Sequence, residues 1–263
     1  MEQALTTTNT NLPANVNEPF ESGLEALDRG DVIIPRLTIT QPSTPDIDAA
    51  NIGKFFINIT GDFYDNMRLV CIKFTKGRIL WPEKYSKDNE PLCRSHNFQT
   101  PANDIEGAEP MCHTCAVTPG TKDDHACPYA NWSADKKGKV IAPRCQEVWN
   151  MLVLDLETYM PMYLSLKSTS IKPAKKLFSA INILSGAKRV PLWGWAFGVT
   201  LKMESNDSGK FYVPIFTSPT AVSPEELEAM SGIRSQLANV EMRSEDKPDA
   251  PVSAGQPAEA EQF

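Results

Sequence analysis

The chain has 263 residues, of which 41% are hydrophobic, and carries a formal net charge of −7. This length suits one large domain or two small ones, and the hydrophobic content is enough for a buried core. No run of about 18 apolar residues occurs, which excludes a membrane-spanning helix. The first 20 residues lack the basic start and apolar stretch of a secretory signal, so we expect a cytoplasmic protein.

The net charge is unevenly distributed along the chain. Residues 1–30 carry a charge of −4 and residues 220–263 carry −6, whereas residues 31–219 carry +3. A mildly basic body therefore lies between acidic ends. This asymmetry favours a polyanionic ligand and an acidic segment that competes for its site.

Composition divides the chain into parts. We predict a flexible N-terminal segment at 1–30, a β-rich domain at 31–219, a C-terminal helix at 220–243 and a disordered acidic tail at 244–263. Residues 83–145 interrupt the β-rich domain with many turn formers and almost no periodicity. Because some sixty residues of plain loop are uncommon in a compact domain, we predict an insertion folded around a metal.

Runs of β-branched and aromatic residues bounded by Gly, Asp and Asn predict the strands. Before the insertion, the predicted strands are 34–40, 54–60, 67–75 and 78–81. After it, they are 148–154, 160–167, 192–203 and 210–217. A turn at 206–209 joins the last two strands as a hairpin.

Two helices are predicted in the second half of the chain. Residues 171–184 carry one apolar stripe, and Gly186 suits the C-terminal end of this helix. The last helix begins with Ser223 as its N-cap, Pro224 at its first position and Glu226 three residues after the cap. Its pattern fades near Met242. The order of strands, insertion, strands, helix, hairpin and helix predicts a mainly β, α+β fold, in which a small oligonucleotide-binding (OB) type barrel carries the insertion.

Cysteines cluster inside the insertion and point to a metal. Five of the six cysteines fall within 53 residues, and all three histidines share that block. The candidate metal ligands are Cys93, Cys112, Cys115, Cys127 and Cys145. The Cys-x2-Cys spacing of Cys112 and Cys115 allows both thiolates to bind one zinc ion. Two further ligands come from the other three cysteines, with His96 or His125 as weaker candidates, and reduced thiols without metal are the alternative.

Catalytic zinc sites have motifs that this chain lacks. Neither His-Glu-x-x-His nor the His-x-Glu and Pro-Cys-x-x-Cys pair of the zinc deaminases occurs, and no phosphate-binding Gly-x4-Gly-Lys-Ser/Thr is present. A site rich in sulfur also suits a closed, structural zinc. We therefore expect a structural zinc ion and no enzymatic activity.

Cationic and aromatic residues alternate in three stretches of the β-rich domain. Bases of a single nucleic-acid strand stack on rings while lysines follow its phosphates, so this interleaving predicts binding to single strands. The candidate residues are Lys73, Lys76, Arg78, Trp81, Trp132, Lys136, Lys137, Lys139, Arg144, Trp149, Tyr163, Lys167, Lys172, Lys175 and Lys176. Strand alternation places Trp149, Tyr163 and Lys167 opposite an aliphatic set that includes Leu164 and Leu166. Scattered solvated lysines are the plain alternative.

Three further aromatic residues are assigned to the core rather than to the ligand. Trp193, Trp195 and Phe197 alternate along the strand at 192–203 and are predicted to point one way. Gly194, Ala196 and Gly198 face the other way. Small residues in mid-strand indicate a barrel bend or the close approach of another backbone.

The acidic tail ends on an aromatic residue, which is unusual for a disordered segment. Its candidate partner-binding residues are Glu259, Glu261 and Phe263. This arrangement resembles the single-stranded DNA-binding proteins of bacteria and T-odd phages, whose acidic tails end in Phe and recruit replication partners. The cysteine block among strands is similar in plan to the zinc subdomain of T-even phage helix-destabilising proteins.

The block from Cys127-Pro128 and Trp132, through Pro143-Arg144-Cys145, to the Lys-rich helix also resembles a set of tailed-phage proteins of unassigned or DNA-binding type. The cysteine spacing differs from that of the T-even zinc site, and the tail lacks the bacterial Asp-rich run and Pro-Phe end, so no ligand assignment is carried over. The resemblance implies a phage protein that acts in the bacterial host cytoplasm. It implies single-stranded DNA as ligand and replication or recombination proteins as partners of the tail. The alternative is a zinc-containing protein-interaction or transcription-regulating factor.

Overall fold

The computed structural model describes residues 33–44, 47–82, 91–102, 127–134, 136, 138, 140–206, 209–237 and 242. The chain divides into two units, Met1–Ile33 and Ile34–Phe263. The first unit lies almost wholly outside the described residues, as do the predicted tail and the middle of the insertion. The fold below is that of the second unit.

The described residues form twelve strands and two α-helices, in agreement with the predicted mainly β, α+β class. In chain order the elements are β1 Arg36–Ile39, β2 Phe55–Ile57, β3 Phe63–Tyr64, β4 Asn66–Leu80, β5 Cys93–Ser95, β6 Ser133–Ala134, β7 Val140–Ile141, β8 Cys145–Asp155, β9 Pro161–Lys167, α1 Ile171–Lys188, β10 Trp195–Asn206, β11 Gly209–Phe216, β12 Thr220–Ala221 and α2 Pro224–Leu237. Short 3₁₀ helices cover Ala49–Asn51, Pro128–Ala130, Ser168–Ser170 and Leu192–Gly194. None of the described helices is long and apolar enough to span a membrane.

Ten strands make one sheet with the order β11-β10-β4-β8-β9-β1-β2-β3, while β5 adds to β4 and β12 adds to β10. Only the β1–β9 pair of these is parallel. The predicted strands 67–75 and 78–81 are one continuous 15-residue strand, β4, with a bulge between Cys71 and Lys73. The strands β6 and β7 form a separate two-stranded sheet.

The large sheet curls strongly into a half-barrel, consistent with an OB-like fold. Gln41, just after β1, reaches the strand at the far end of the sheet order. Its Nε2 donates to the carbonyl oxygen of Tyr212 at 2.9 Å, and its Oε1 accepts from the Tyr212 backbone N–H at 2.8 Å. Gly53 lies under the Tyr212 ring with a φ of 81°, where a side chain would clash with that ring. A side chain thus links the end of β1 to the edge strand β11, which is not its neighbour in the sheet order.

One face of the sheet packs against α1 and holds the main core. The buried residues of α1 are Ile171, Ala174, Leu177 and Ile181, which confirms the predicted apolar stripe. Trp195 and Phe197 lie in this core, as predicted. The helix runs past Gly186 to Lys188 and ends at Arg189, which takes the left-handed conformation with a φ of 56°. The prediction of Gly186 as the helix end is therefore wrong.

The other face packs against α2 around a smaller cluster with Val70, Leu152 and Met230. The N-terminal capping box of α2 is formed as predicted, because the Glu226 N–H donates to Ser223 Oγ at 3.1 Å and Glu226 Oε2 accepts from the Ser223 N–H at 2.8 Å. Trp193 belongs to this second cluster, whereas Trp195 and Phe197 lie in the main core. The prediction that all three side chains point the same way is therefore wrong for Trp193.

The small residues of β10 are explained by this packing. Ala196 is buried in the second cluster, and a side chain at Gly194, in the 3₁₀ helix just before β10, would come within 2.5 Å of Val190 and 3.0 Å of Leu227 in α2. The predicted close approach of another backbone is not observed, because a Cβ at Gly194 would first meet the side chains of Val190 and Leu227, and one at Gly198 would meet that of Thr217.

Candidate nucleic-acid interface

A basic groove runs beside α1 and around the exposed edge of β11. One part, of about 550 Å³, lies between α1 and the strands β10 and β11. A second part, of about 430 Å³, lies where β1, β9 and β11 come together. Both parts are lined by Thr169. We call the two together the lysine groove, and its cationic and aromatic lining consists of Lys167, Lys172, Lys176, Lys202, Lys210, Phe211, Tyr212 and Phe216.

The helix α1 supplies two of these lysines. Lys172 and Lys176 are exposed and lie one turn apart, so they project from the same side of the helix. Ala174 and Leu177 hold the opposite side in the core. No acidic residue occupies the first turn of α1, and the positive end of its dipole adds to the charge of the lysines.

The aromatic lining comes from β11. Phe211, Tyr212 and Phe216 are half-buried and line the groove. The ring of Phe216 meets that of Phe197 edge-on, with 5.7 Å between ring centroids. The backbone of Tyr212 is held by Gln41. Half-buried rings on a strand are well suited to stack on bases with little loss of side-chain freedom.

Among the described residues, one acidic residue lines the lysine groove. Glu204 Oε1 lies 3.7 Å from Lys202 Nζ, and both side chains are largely exposed. An exposed pair of this kind contributes at most about 1 kcal/mol to stability. A phosphate can therefore compete for Lys202, while Lys172 and Lys176 provide the stronger cationic part of the groove.

Trp149 is placed differently from the prediction. The register pairs Trp149 with Leu166, so Trp149 lies on the core face together with Leu164 and Leu166 and not opposite them. Its side chain is 4% exposed, packs against the rings of Phe74 and Phe178, and is thereby closed to a base. The prediction that Trp149 offers a stacking ring is wrong, because β8 and β9 pair in the register that turns the indole inward.

Trp149 instead organises two predicted lysines. Lys76 Nζ lies 5.0 Å from the centre of its ring and Lys175 Nζ lies 5.9 Å from it. The indole N–H donates to Glu147 Oε1 at 2.6 Å. Lys175 therefore points toward Trp149 and does not line the lysine groove, so α1 also carries a cation outside the groove.

Arg78 is also more buried than predicted. Its side chain is 7% exposed, its Nη1 donates to the Cys145 carbonyl oxygen at 3.3 Å, and its guanidinium lies 4.2 Å from the centre of the Phe98 ring. A phosphate cannot reach a guanidinium covered in this way, so the prediction of Arg78 as a DNA contact is wrong. Arg78 links β4 to the cysteines.

The remaining predicted contacts are scattered. Lys73 and Tyr163 are half-buried. Each is directly opposite Leu152, Lys73 on β4 and Tyr163 on β9, so the three side chains lie on the same face of the sheet. Trp81 is half-buried after β4. Lys167 is the one predicted residue of β8 and β9 that lines the lysine groove. Lys137 and Lys139 lie outside the described residues.

Three of the five predicted metal ligands lie together. Cys93, Cys127 and Cys145 are buried in one cluster with Leu80. Leu80 pairs with Cys93 on one side and with Cys145 on the other, so the side chains of Leu80, Cys93 and Cys145 share one face of the sheet. The two ends of the insertion therefore meet at this point. Cys112, Cys115, His113 and His125 lie outside the described residues.

Ligating geometry is not reached among the described residues alone. Within them, no three Cys, His, Asp or Glu side chains are grouped closely enough to hold a metal ion. Burial in one cluster is a looser condition than ligation, and the Cys-x2-Cys pair is missing from the described set. Cys71 is separate from the cluster, because it lies in the main core, where burial raises the pKa of its thiol.

A small hairpin projects from the cysteine cluster. The strands β6 and β7 pair through Ser133–Ile141 and Ala134–Val140. Cys127 precedes this hairpin and Cys145 follows it, so both ends are fixed at the cluster. We call residues 131–144 the arm. Its predicted contacts Trp132, Lys136 and Arg144 are all exposed, and Arg144 lies 5.2 Å from the centre of the Tyr129 ring.

Five residues of the lysine groove were missed in the sequence. They are Lys202, Lys210, Phe211, Tyr212 and Phe216. The adjacent Lys210, Phe211 and Tyr212 carry the same cation–aromatic interleaving that marked the other stretches, so a signal was present. The curl that brings β11 beside α1 was not visible in the sequence.

The curled sheet, its two helices and the basic groove define an OB-like α+β protein. Among protein families, the Pam3 phage gp34-like protein family matches residues 6–241, which is most of the chain. The chain therefore belongs to the Pam3 phage gp34-like family and is a phage protein. No curated protein and no solved structure matches it.

Proposed function

We propose that this phage protein binds single-stranded DNA without enzymatic activity and supports phage DNA replication, recombination or repair. The observation that carries the proposal is the lysine groove. Exposed Lys172 and Lys176 on α1 share one part of this groove with Phe216, while Lys167 and Lys210 share the other part with Phe211 and Tyr212. Cations beside rings in both parts match the phosphates and bases of one strand.

The half-buried rings favour an unpaired strand over a duplex. In a duplex, the faces of the bases are stacked on one another and are closed to side chains. In a single strand, each base stacked on a ring contributes about 1–3 kcal/mol, and this contribution tolerates any sequence. The groove therefore predicts sequence-tolerant binding that is sensitive to salt.

The test measures fluorescence anisotropy of labelled DNA with the full chain. The probes are oligo-dT of about 20 nucleotides, longer than the roughly 4–16 nucleotides that one OB fold covers, and a duplex of the same length. We expect tighter binding to oligo-dT, weakened between about 50 and 200 mM salt. Equal affinity for the duplex, or no affinity for either, contradicts the proposal and favours a protein-interaction or transcription-regulating factor.

A structural zinc ion belongs to the same proposal. The three buried cysteines Cys93, Cys127 and Cys145 supply thiolates that suit zinc, and Cys112 or Cys115 is the expected source of the fourth. Zinc supplies folding free energy to a segment with little core of its own. Its role here is to fix the base of the arm and to tie β5 to β8.

The acidic tail is proposed to recruit replication or recombination proteins. Glu259, Glu261 and Phe263 offer charge and one ring to a partner pocket rimmed by cations. The charge of −6 over residues 220–263, against +3 over residues 31–219, also supports a tail that competes with DNA for the basic groove.

A further inference from the structure

A second group of cations and rings lies on β4, β8 and α1, outside the lysine groove. Its rings are Phe74, Trp149 and Phe178, with 4.9 Å between the centres of the Phe74 and Trp149 rings and 4.4 Å between those of Phe74 and Phe178. Its cations are Lys76 and Lys175, which both lie near the Trp149 ring. We call these five residues the Trp149 cluster. Trp149 is buried, whereas Phe74 and Phe178 are half-buried and keep part of their surface accessible.

The two lysines of the Trp149 cluster carry charge that the cluster does not neutralise. Both are exposed, and among the described residues neither forms an ion pair with a carboxylate. The carboxylate of Glu147, beside the ring, accepts a hydrogen bond from the indole N–H. Cation–π contacts with the same ring keep the two ammonium groups close together, where they repel each other. This arrangement favours an anionic ligand.

The lysines of α1 connect the Trp149 cluster to the lysine groove. Lys172 lines the groove, and it is followed three residues later by Lys175 and four residues later by Lys176. Helix residues three and four apart are neighbours on the surface, with about 5–6 Å between their Cβ atoms. Lys172 is thus a neighbour of Lys176 inside the groove and of Lys175 outside it. Residues 158–203 contain no Asp or Glu, so no acidic residue of α1 interrupts this row of cations.

We propose that a DNA strand leaving the lysine groove crosses the first turns of α1 and continues onto the Trp149 cluster, with its phosphates on Lys175 and Lys76. The half-buried rings of Phe74 and Phe178 offer an apolar surface to a base of the same strand. This inference rests on the proposed function, because the groove holds the first part of the strand. The DNA site then has two parts: a short oligonucleotide occupies the groove alone, and a long one occupies both.

The experiment measures the salt dependence of anisotropy with two oligo-dT probes, of about 6 and about 20 nucleotides. One is near the lower end and the other above the upper end of the roughly 4–16 nucleotides that one OB fold covers. In the full chain with Lys76→Gln and Lys175→Gln, we expect the slope of log K against log salt for the long probe to be shallower by about 1.4, which is two contacts of about 0.7 each. Between about 50 and 200 mM salt, this changes the ratio of the two affinities about sevenfold. The slope for the short probe stays unchanged.

Lys188→Gln is the matched control for this pair of substitutions. Lys188 is exposed on the same helix, and its Nζ also lies near an indole, 5.8 Å from the centre of the Trp195 ring. Lys188→Gln should change neither slope. Lys172→Gln with Lys176→Gln, which removes two groove lysines, should make the slope shallower for both probes.

The outcomes separate this inference from the proposed function. An unchanged long-probe slope in Lys76→Gln with Lys175→Gln overturns the extended path alone, and leaves the Trp149 cluster as a surface for an acidic protein segment. Equal changes in slope for both probes also overturn it, because the two parts of the site are then not separate. Failure of the natural chain to bind either probe overturns the proposed function as well.

Discussion

Removing two lysine charges from the groove tests its role quantitatively. In Lys172→Gln with Lys176→Gln, both changed side chains are exposed and lie near the positive end of α1, so the substitution does not disturb the fold. For single strands, each phosphate contact contributes about 0.7 to the slope of log K against log salt. Loss of two contacts therefore makes the slope shallower by about 1.4.

This change in slope has a visible consequence. Between about 50 and 200 mM salt, a difference of about 1.4 in slope changes the ratio of the two affinities about sevenfold. The variant should thus bind oligo-dT far more weakly than the natural chain at low salt, and the two should converge as salt rises. Anisotropy titrations at four salt concentrations measure both slopes.

Lys188→Gln provides the control on the same helix. Lys188 is exposed in the last turn of α1 and does not line the lysine groove, so its slope should equal that of the natural chain. Parallel lines for the natural chain and the double variant would refute the groove as the path of the phosphates. If Lys188→Gln made the slope shallower by about 0.7, as the loss of one groove lysine should, the slope would report the net charge of the protein and not contacts in the groove.

Four further outcomes are expected. Trp149→Ala should destabilise the fold by about 3–5 kcal/mol in urea unfolding, since it empties a buried indole site, and an unchanged midpoint would contradict its core role. Gln41→Ala should cost about 1–3 kcal/mol because it leaves both polar groups of Tyr212 without this partner, and a loss below about 0.5 kcal/mol would exclude a closing role. If the natural chain holds one zinc ion as proposed, Cys127→Ser should abolish it in metal analysis of the purified protein, while Cys71→Ser retains it; equal metal content in both variants would refute the ligand assignment. Deletion of residues 244–263 should tighten oligo-dT binding at low salt, and unchanged affinity would contradict the proposal that the tail competes with DNA for the groove.

The elements that depend on nearby residues were predictable. The capping box of α2 needs only Ser223, Glu226 and the turn between them, and the stripe of α1 follows from helical spacing. The pairing of Asn206 with Gly209 in the β10–β11 hairpin follows from the turn sequence.

The elements that depend on distant pairing were not predictable. A slip of one residue between β8 and β9 would exchange the faces of every side chain, and no local feature tells which register holds. That is why Trp149 was assigned to the surface. The end of α1 also depends on a distant contact. The indole N–H of Trp195 donates to Ser185 Oγ near the last turn at 2.8 Å. The sequence predicts the strand that carries Trp195 but not its position beside the helix.

The site was predicted in its parts and not in its assembly. The lysines of α1 were recognised, but the curl of the sheet decided which strand faces them. The cysteines at both ends of the insertion were recognised as well, and their meeting around Leu80 required the pairing of β4 with both β5 and β8. Long-range strand pairing is therefore the missing information in each case.

The most direct measurement of the central claim is photo-cross-linking of the full chain to a halogenated oligo-deoxyuridine, followed by mapping of the linked peptides. Such an oligonucleotide links to aromatic rings in contact with its bases. We predict that the linked peptides contain Phe211, Tyr212 or Phe216, that duplex probes give no such product, and that Lys172→Gln with Lys176→Gln lowers the yield. Cross-links confined to peptides outside the lysine groove, or none at all, would contradict the assignment of this groove as a path for single-stranded DNA.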